Sequence, residues 1–499
     1  MNTDILTEKT IELAVTGKLI KQEESDCSPA SDIVEKIRDE RQRMLSAGTL
    51  RMKNIKVNTV IFKGGDGLYY EKLQGGKQRC IQNEIPFDLP QGWAWCRLGS
   101  LFRTITGNTP PTGDKTLYNG DYPFYKPSDL GSGLNVDKAA ETVTEAGLEQ
   151  GHLVPEHSVL VTCIGTVGKT GYIRKKGIFN QQINAILPNN MISSEYTYFS
   201  MCADYMQKQI KANSSSATMP ILNKTKFDNL LFILPPLPQQ KKIAEKLKQV
   251  TAAAKRIQSE KEELERLIER TKEKVLDMAV KGRLVPHEVA EEDLNRERDD
   301  EGGKRPFKKY GCASDNSYYE KYPKNWTDTT LEAVTKPSEF TNGSAVSNTQ
   351  MTEQGGIKLI QPGAIGKMKY LGAECKYVSE QAFERSGFSE IEGGYLIINR
   401  ILNDGMKACI LPPDEGKAVT SVDVCRIAPS ERYSVDYILC AVSSPDFQKA
   451  AYEKSGGAML KRINKSSLAK IPFGLPPLAE QKRIASTVYS IFERLDSLK

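Results

Sequence analysis

A chain of 499 residues, 39% apolar and 26% charged, is long enough for two or three separately cored domains. Its net charge of +6 and pI near 8.6 permit an acidic partner such as nucleic acid without demanding one. No apolar run approaches the roughly 18 residues of a membrane span, and Met1-Asn2-Thr3-Asp4 does not begin a signal peptide. The ten cysteines contain no CxxC and the three histidines no ligand pair, which argues for reduced thiols in cytoplasm rather than disulfides or zinc.

In chain order, residues 1–23 read as half of a helix. Residues 24–85 hold a second helix, Ala30–Ala47, with an Ile33, Ile37, Met44 stripe. A basic connector (Arg51, Lys53, Lys56) and a polar, Gly-rich stretch to about Glu84 follow it. Residues 86–237 form a first mixed α/β domain. Ser158–Cys163, Thr170–Ile173 and Ile183–Leu187 have the β-branched character of strands, and Glu195–Ala212 that of a helix. Residues 238–285 carry no Pro or Gly from Gln239 until Gly282 and place Ile243, Leu247, Val250, Ala254, Ile257, Leu264, Ile268 and Val275 on one seam. An apolar seam with Glu and Lys shoulders over about five heptads predicts a coiled-coil helix roughly 65–70 Å long. Residues 286–321 are a charged connector. In the second mixed domain, residues 322–478, Tyr395–Ile398, Ala408–Leu411 and Val422–Ile427 read as strands and Val435–Ala451 as a helix. Residues 479–499 begin another long helix and stop halfway along it.

The second half repeats the first. Leu475-Pro476-Pro477-Leu478 copies Leu234-Pro235-Pro236-Leu237, and Ile484, Val488 and Ile491 keep the seam 241 positions after Ile243, Leu247 and Val250. The missing end of this second helix lies at the other terminus, where Lys9–Glu23 matches Lys274–Glu288 at an offset of 265. The repeat is circular, so the two terminal helices together supply a split copy of the central one. Lys261, costly in a dry seam, is expected at the level of the gap between them. Smaller anchors also recur: Asp66–Lys72 with Asp315–Lys321, Trp93 with Trp326, Pro127 with Pro362, Asn223-Lys224 with Asn464-Lys465, and Phe179–Gln182 with Val419–Val422. The tryptophans read as core anchors where each domain begins, against the alternative of base-stacking platforms. Framework positions agree between the copies and exposed loops diverge, as in two recognition modules for different targets.

Catalytic signatures are missing. Gly165-Thr166-Val167-Gly168-Lys169-Thr170 ends like a phosphate-binding loop, but the required first glycine is Cys163 and the residues after Lys169 read as strand. There is no glycine-rich cofactor loop, nucleophile elbow or HExxH, so no cofactor is expected.

The paired LPPL-xxQ-K-x-I-A elements, Leu234–Ala244 and Leu475–Ala485, followed by a long helix and Ala279-Val280-Lys281-Gly282-Arg283-Leu284, resemble the DNA-specificity subunit of type I restriction–modification systems. The resemblance covers nearly the whole chain. It implies two pseudo-repeated target-recognition domains joined by an antiparallel pair of long coiled-coil helices in a circular pseudo-twofold arrangement. Each domain would read one half of a bipartite site in double-stranded DNA. The coiled coil would fix the spacing and dock two methyltransferase subunits, and motor/nuclease subunits would join through the complex. The subunit itself would be non-catalytic. A coiled-coil adaptor with two protein-binding domains is the alternative from another class.

On the DNA reading, loop position and residue type select the candidate contacts, since Asn and Gln suit adenine and Arg and Lys suit guanine or phosphate. In the first domain these are Thr106, Asn108, Thr109, Lys126, Ser128, Lys169, Asn180, Gln181, Gln182, Ser215 and Thr218. In the second they are Gln361, Asn399, Arg400, Asn403, Lys461 and Arg462. Each has the alternative reading of a solvated loop residue. The basic runs Arg174–Lys176 and Lys304-Arg305…Lys308-Lys309 read either as phosphate contacts or as surface turns.

Overall fold

The computed structural model describes residues 3–21, 29–48, 57–73, 76–215, 219–286, 296–298, 304–306, 322–323, 325–372 and 376–499. The expected anchor Asp315–Lys321, the connector lysines Lys53 and Lys56, and Lys308-Lys309 lie outside them. The chain divides into two units, Met1–Glu260 and Lys261–Lys499, each with its own hydrophobic core.

Both units hold the expected mixed α/β domain, built to one plan. In the first, a four-stranded antiparallel sheet runs in the order Thr104–Thr106, Ile183–Ile186, Val159–Thr162, Thr170–Tyr172. The second has Phe340–Asn342, Val424–Ile427, Leu396–Asn399, Ala408–Ile410 in the same order. The buried residues of these strands form near-continuous β-branched runs, because both faces are covered. A smaller sheet in each domain contains one parallel pair: Ile178–Phe179 beside Tyr118–Tyr125, and Ala418–Thr420 beside Ile357–Ile360. Parallel neighbours need a long crossover, and the chain between each pair supplies one central and one edge strand of the main sheet: Val159–Thr162 and Thr170–Tyr172 in the first domain, Leu396–Asn399 and Ala408–Ile410 in the second.

Each long helix predicted within the domains is two helices. Ser194–Cys202 and Asp204–Asn213 break at extended Ala203, and Val435–Ser443 and Pro445–Glu453 break at Ser444. Pro445 disfavours the helical conformation of Ser444 and opens the next helix at its first position. A half-buried side-chain amide bridges each break. Gln207 Nε2 donates to the carbonyls of Met201 and Gly168, and Gln448 Nε2 to those of Val442 and Met406.

The LPPL-xxQ element is a clamp. Leu231–Leu234 pairs with Ala94–Arg97, and the prolines then end the strand, since they lack ladder donors. Gln240 Nε2 donates to the Pro235 carbonyl (2.9 Å) while its Oε1 accepts from the Ser193 amide (2.9 Å). Gln481 repeats both bonds with Pro476 and Ser434, each at 2.8 Å. Each fully buried glutamine thus ties a long helix to the start of a domain helix. Trp326 is buried and donates to Glu480 Oε1 (3.1 Å), while Trp93 is half-buried against its core.

The central helix, Leu237–Val280, has 44 residues. Within the first unit the N-terminal helix, Thr3–Val15, runs antiparallel to its beginning: Thr3 meets Gln258, and Gln239 donates to the Lys21 carbonyl. Within the second unit the C-terminal helix, Leu478–Asp496, runs antiparallel to its end. There Arg483 reaches the Pro286 carbonyl, Asp496 pairs with Lys272 (2.8 Å) and Lys499 with Glu269 (3.6 Å). The predicted seam is buried at both ends, through Ile243 and Leu247 and through Ile268 and Val275. It is open in the middle, where Ile257 and Leu264 are 43% and 37% exposed. Lys261 lies in that open stretch, half exposed, as its place in the seam required.

A small three-stranded sheet, Val60–Lys63, Tyr69–Lys72 and Gln78–Cys80, occupies the stretch read from sequence as a polar connector. Glu71, buried at 1% exposure, anchors it to Arg97 of the first domain.

Candidate nucleic-acid interface

In each domain the ends of three strands meet around a glycine. Gly107 donates its amide to the Ile183 carbonyl (3.1 Å), Asn108 to Phe179 (3.0 Å) and Asn180 to Tyr125 (3.1 Å). A Cβ on Gly107 would lie 2.2 Å from the Asn180 carbonyl oxygen and 2.3 Å from that of Phe179, so only glycine fits. In the second domain Gly343 donates to Val424 (2.8 Å), Ser344 to Thr420 (2.8 Å) and Ser421 to Ile360 (2.9 Å). A Cβ on Gly343 would meet the Ser421 and Thr420 carbonyl oxygens at 2.1 and 2.4 Å. These bonds correct the sequence alignment by one residue. Asn180 corresponds to Ser421 and Phe179 to Thr420, keeping the offset of 241 that holds for Asn223 and Asn464, the side chains capping equivalent short helices.

Around the first glycine the side chains are mostly neutral and bonded to one another. Thr106 Oγ1 donates to Asn184 Oδ1 and Thr109 Oγ1 to Gln181 Oε1, both at 2.6 Å. Asn108 bridges the Gln150 carbonyl and the His152 amide. Asn180 is buried and closes a turn on Gln182 through both ends of its amide. The two lysines are engaged: Lys126 pairs with Glu141, and Lys169 Nζ donates to the Pro127 carbonyl at 2.8 Å and that of Ser128 at 3.4 Å. Lys169 therefore ties a turn together, and Thr170–Tyr172 is strand, as the failed phosphate-loop match required. Exposed Ser215 bonds the Ile221 carbonyl, and Thr218 lies outside the described residues. His152 belongs to this group through its ring Nδ1, 2.6 Å from the Thr106 carbonyl oxygen. No local pattern in the sequence marked it.

The second domain places cations at the same level. Arg400 takes the framework position of Cys163. Cys163 receives Leu222 and donates to Gln182, while Arg400 receives Ile463 and donates to Asp423. Burial pushes the Cys163 thiol up to about 12, so it stays neutral. The Arg400 side chain is buried and reaches the Val422 carbonyl, with Nε unpaired among the described residues. Arg462 pairs with Asp423 at 2.5 Å, and Lys461 lies 5.5 Å from the Tyr452 ring. Asn403 accepts from the Lys461 amide (3.2 Å), and buried Asn399 caps its own turn at the Ile401 amide (2.9 Å). Half-buried Gln361 precedes the Pro362–Ala364 turn. One domain thus presents hydroxyls and amides where the other presents guanidinium and ammonium groups on the same frame. Among the described residues no group of His, Cys, Asp and Glu could hold a metal, and no helix is long and apolar enough to cross a membrane.

Two α/β domains on matching frames, each tied by a glutamine clamp to a long helix, define a duplicated recognition scaffold. The type I restriction modification DNA specificity domain matches twice, over residues 90–266 and 323–499, and the chain belongs to that family. It is 32% identical over 150 residues to the HindI specificity subunit of Haemophilus influenzae. That match takes in 30% of this chain and spans only about a third (33%) of the relative's length. The EcoEI specificity subunit of Escherichia coli is 23% identical over 99% of this chain and 90% of its own. A solved chain from work on complex assembly and conformational transition of the type I R-M system shares the fold. Its TM-score is 0.57 at 17% identity, over 83% of this chain and 93% of that one.

Proposed function

We propose that this chain is a non-catalytic DNA-specificity subunit acting in the cytoplasm, each domain reading one half of a bipartite duplex site. Domain boundaries at 86–237 and 322–478 go with this reading, with the long helix at 238–285 as spacer. The observation that carries it is the pair of unlike polar clusters around Gly107 and Gly343 on one framework. Symmetric readers meet duplex about one turn, roughly 34 Å, apart. The sixteen described candidates and Thr218 supply the contacts, the neutral ones suited to adenine edges and Arg400, Lys461 and Arg462 to guanine or phosphate. Two methyltransferase subunits dock on the long helices, and motor/nuclease subunits join through them.

The test is footprinting of duplex DNA by the full chain with its methyltransferase partner at about 50 and 200 mM salt. Two protected segments separated by an interval of free sequence are expected, with affinity falling steeply over that range because phosphate contacts release counterions. A contiguous, sequence-indifferent or salt-insensitive result overturns the reading and favours the protein adaptor.

A further inference from the structure

The second domain carries a second loop beside its polar cluster, and this loop is apolar at the tip. Gly456 and Arg462 exchange backbone hydrogen bonds (3.0 and 2.9 Å), closing a narrow hairpin. At its tip Met459 is 98% exposed and Leu460 49% exposed. Gly457, at φ +105°, allows the chain to reverse there; a Cβ on it would meet the Leu460 carbonyl oxygen at 2.2 Å. The hairpin is fixed to the candidate interface, since Leu402 donates to the Lys461 carbonyl (2.8 Å) and Ile463 to that of Arg400 (3.0 Å). The first domain closes a loop at the same place with the same backbone bonds, and Met219 stands beside it. Ser215 and Ile221 exchange the same two bonds (3.0 and 3.1 Å), Gly165 donates to the Pro220 carbonyl (3.0 Å), and Met219 is 57% exposed.

A methionine almost wholly in water on a hydrogen-bonded hairpin gains nothing for folding. Its flanks bear on the partner. Lys461 and Arg462 follow the tip directly, and Arg400 lies at its neck, so the apolar point is bracketed by cations. That pattern fits a duplex, whose bases are apolar at their faces and whose edges are lined with phosphate. Arg462 already pairs with Asp423, but an apolar protein partner would match the tip and offer no anion to Lys461.

We propose that Met459 and Leu460 enter a groove of the recognised duplex and wedge against the base stack, with Lys461 and Arg462 on the adjoining phosphates. Met219 does the same for the first domain. The proposal rests on the DNA-recognition reading and adds residues to it that make no polar base contact. Apolar side chains used in this way partly unstack a base step, so each half-site is read through its deformability as well as its hydrogen bonds.

The experiment uses the full chain with its methyltransferase partner and the duplex that the parent complex selects from a random pool, with 2-aminopurine placed in either half-site. Met459→Ser combined with Leu460→Ser should weaken binding about tenfold or more and abolish the rise in 2-aminopurine emission in one half-site alone. Met219→Ser should abolish it in the other, and Met459→Leu should retain the parent signal. Thermal unfolding of the serine variants should match the parent, since the tips are exposed. Parent-like affinity and emission in the serine variants overturn the wedge while leaving the split-site reading intact, and so does loss of methyltransferase association in its place. Failure of the parent complex to select a split site overturns the reading and the wedge with it.

Discussion

Glu71 holds the small N-terminal sheet in place. Its carboxylate receives Arg97 Nε and Nη2 at 3.0 Å and Arg79 Nη2 at 2.6 Å, and Arg97 also meets Glu84 at 2.5 Å. Burial alone would push the Glu71 carboxyl up. The hydrogen bonds from Arg97, Thr59 and Arg79, with the Arg97 charge, outweigh it and bring it down to about 2. A depressed carboxylate stabilises the fold fully above its ordinary value of 4.5, and that contribution is lost as pH falls from there towards 2. Glu71→Gln should cost on the order of 2–3 kcal/mol at neutral pH, because Arg97 is then buried with one partner fewer. Urea unfolding of the full chain followed from pH 6 to pH 2.5 should show the parent losing this increment in the first transition and the variant losing little. Equal losses in both would remove the network from the account. Gly107 and Gly343 make a second residue-scale prediction. Alanine at either forces two carbonyls apart, so Gly107→Ala should relax the sequence requirement in one half-site and Gly343→Ala in the other. Variants that leave both requirements unchanged would detach these clusters from recognition.

At the scale of elements, what the sequence revealed and what it hid have separate physical causes. Elements whose burial is periodic were legible: Ala30–Ser46 matched its expected span to within a residue, with Ile33 and Ile37 of its stripe buried and Met44 exposed, and Val159–Thr162, Thr170–Tyr172 and Ile183–Ile186 lay inside their β-branched runs. The small sheet was hidden because its strands are only three or four residues long and mix Val, Ile, Phe and Tyr with Lys, Glu, Gln and Arg, so no alternating pattern stood out. The break at Ser444 was signalled by Pro445, whereas the one at Ala203 was hidden because no Pro or Gly marks it and Gln207 satisfies the interrupted Met201 carbonyl. Of the candidate site, the polar loop residues could be chosen by type. That Lys169 binds the Pro127 carbonyl, or that His152 joins Thr106, follows from which loops the sheet order brings together. The one-residue alignment shift had the same source, since only the parallel strand pairing fixes it.

For the whole molecule, the central helix is the one element shared by both units, and its middle is bare. Residues 255–267 show no buried position, and the interactions with the terminal helices described above stop at Gln258 on one side and resume at Glu269 on the other. That exposed stretch is where length can change without disturbing either core. Removing Glu260–Arg266 takes out seven residues, about 10 Å of helix and close to two whole turns. At about 3.4 Å per base pair along the duplex, this corresponds to roughly three base pairs. The decisive measurement is therefore selection of preferred sites from duplexes with randomised sequence and gap length, by the parent and by this deletion, each with its methyltransferase partner. Two fixed half-sites at one gap length for the parent, and a gap about three base pairs shorter or no selection for the deletion, are the predicted results. The same half-sites at an unchanged gap in both proteins would contradict the central helix as the spacer.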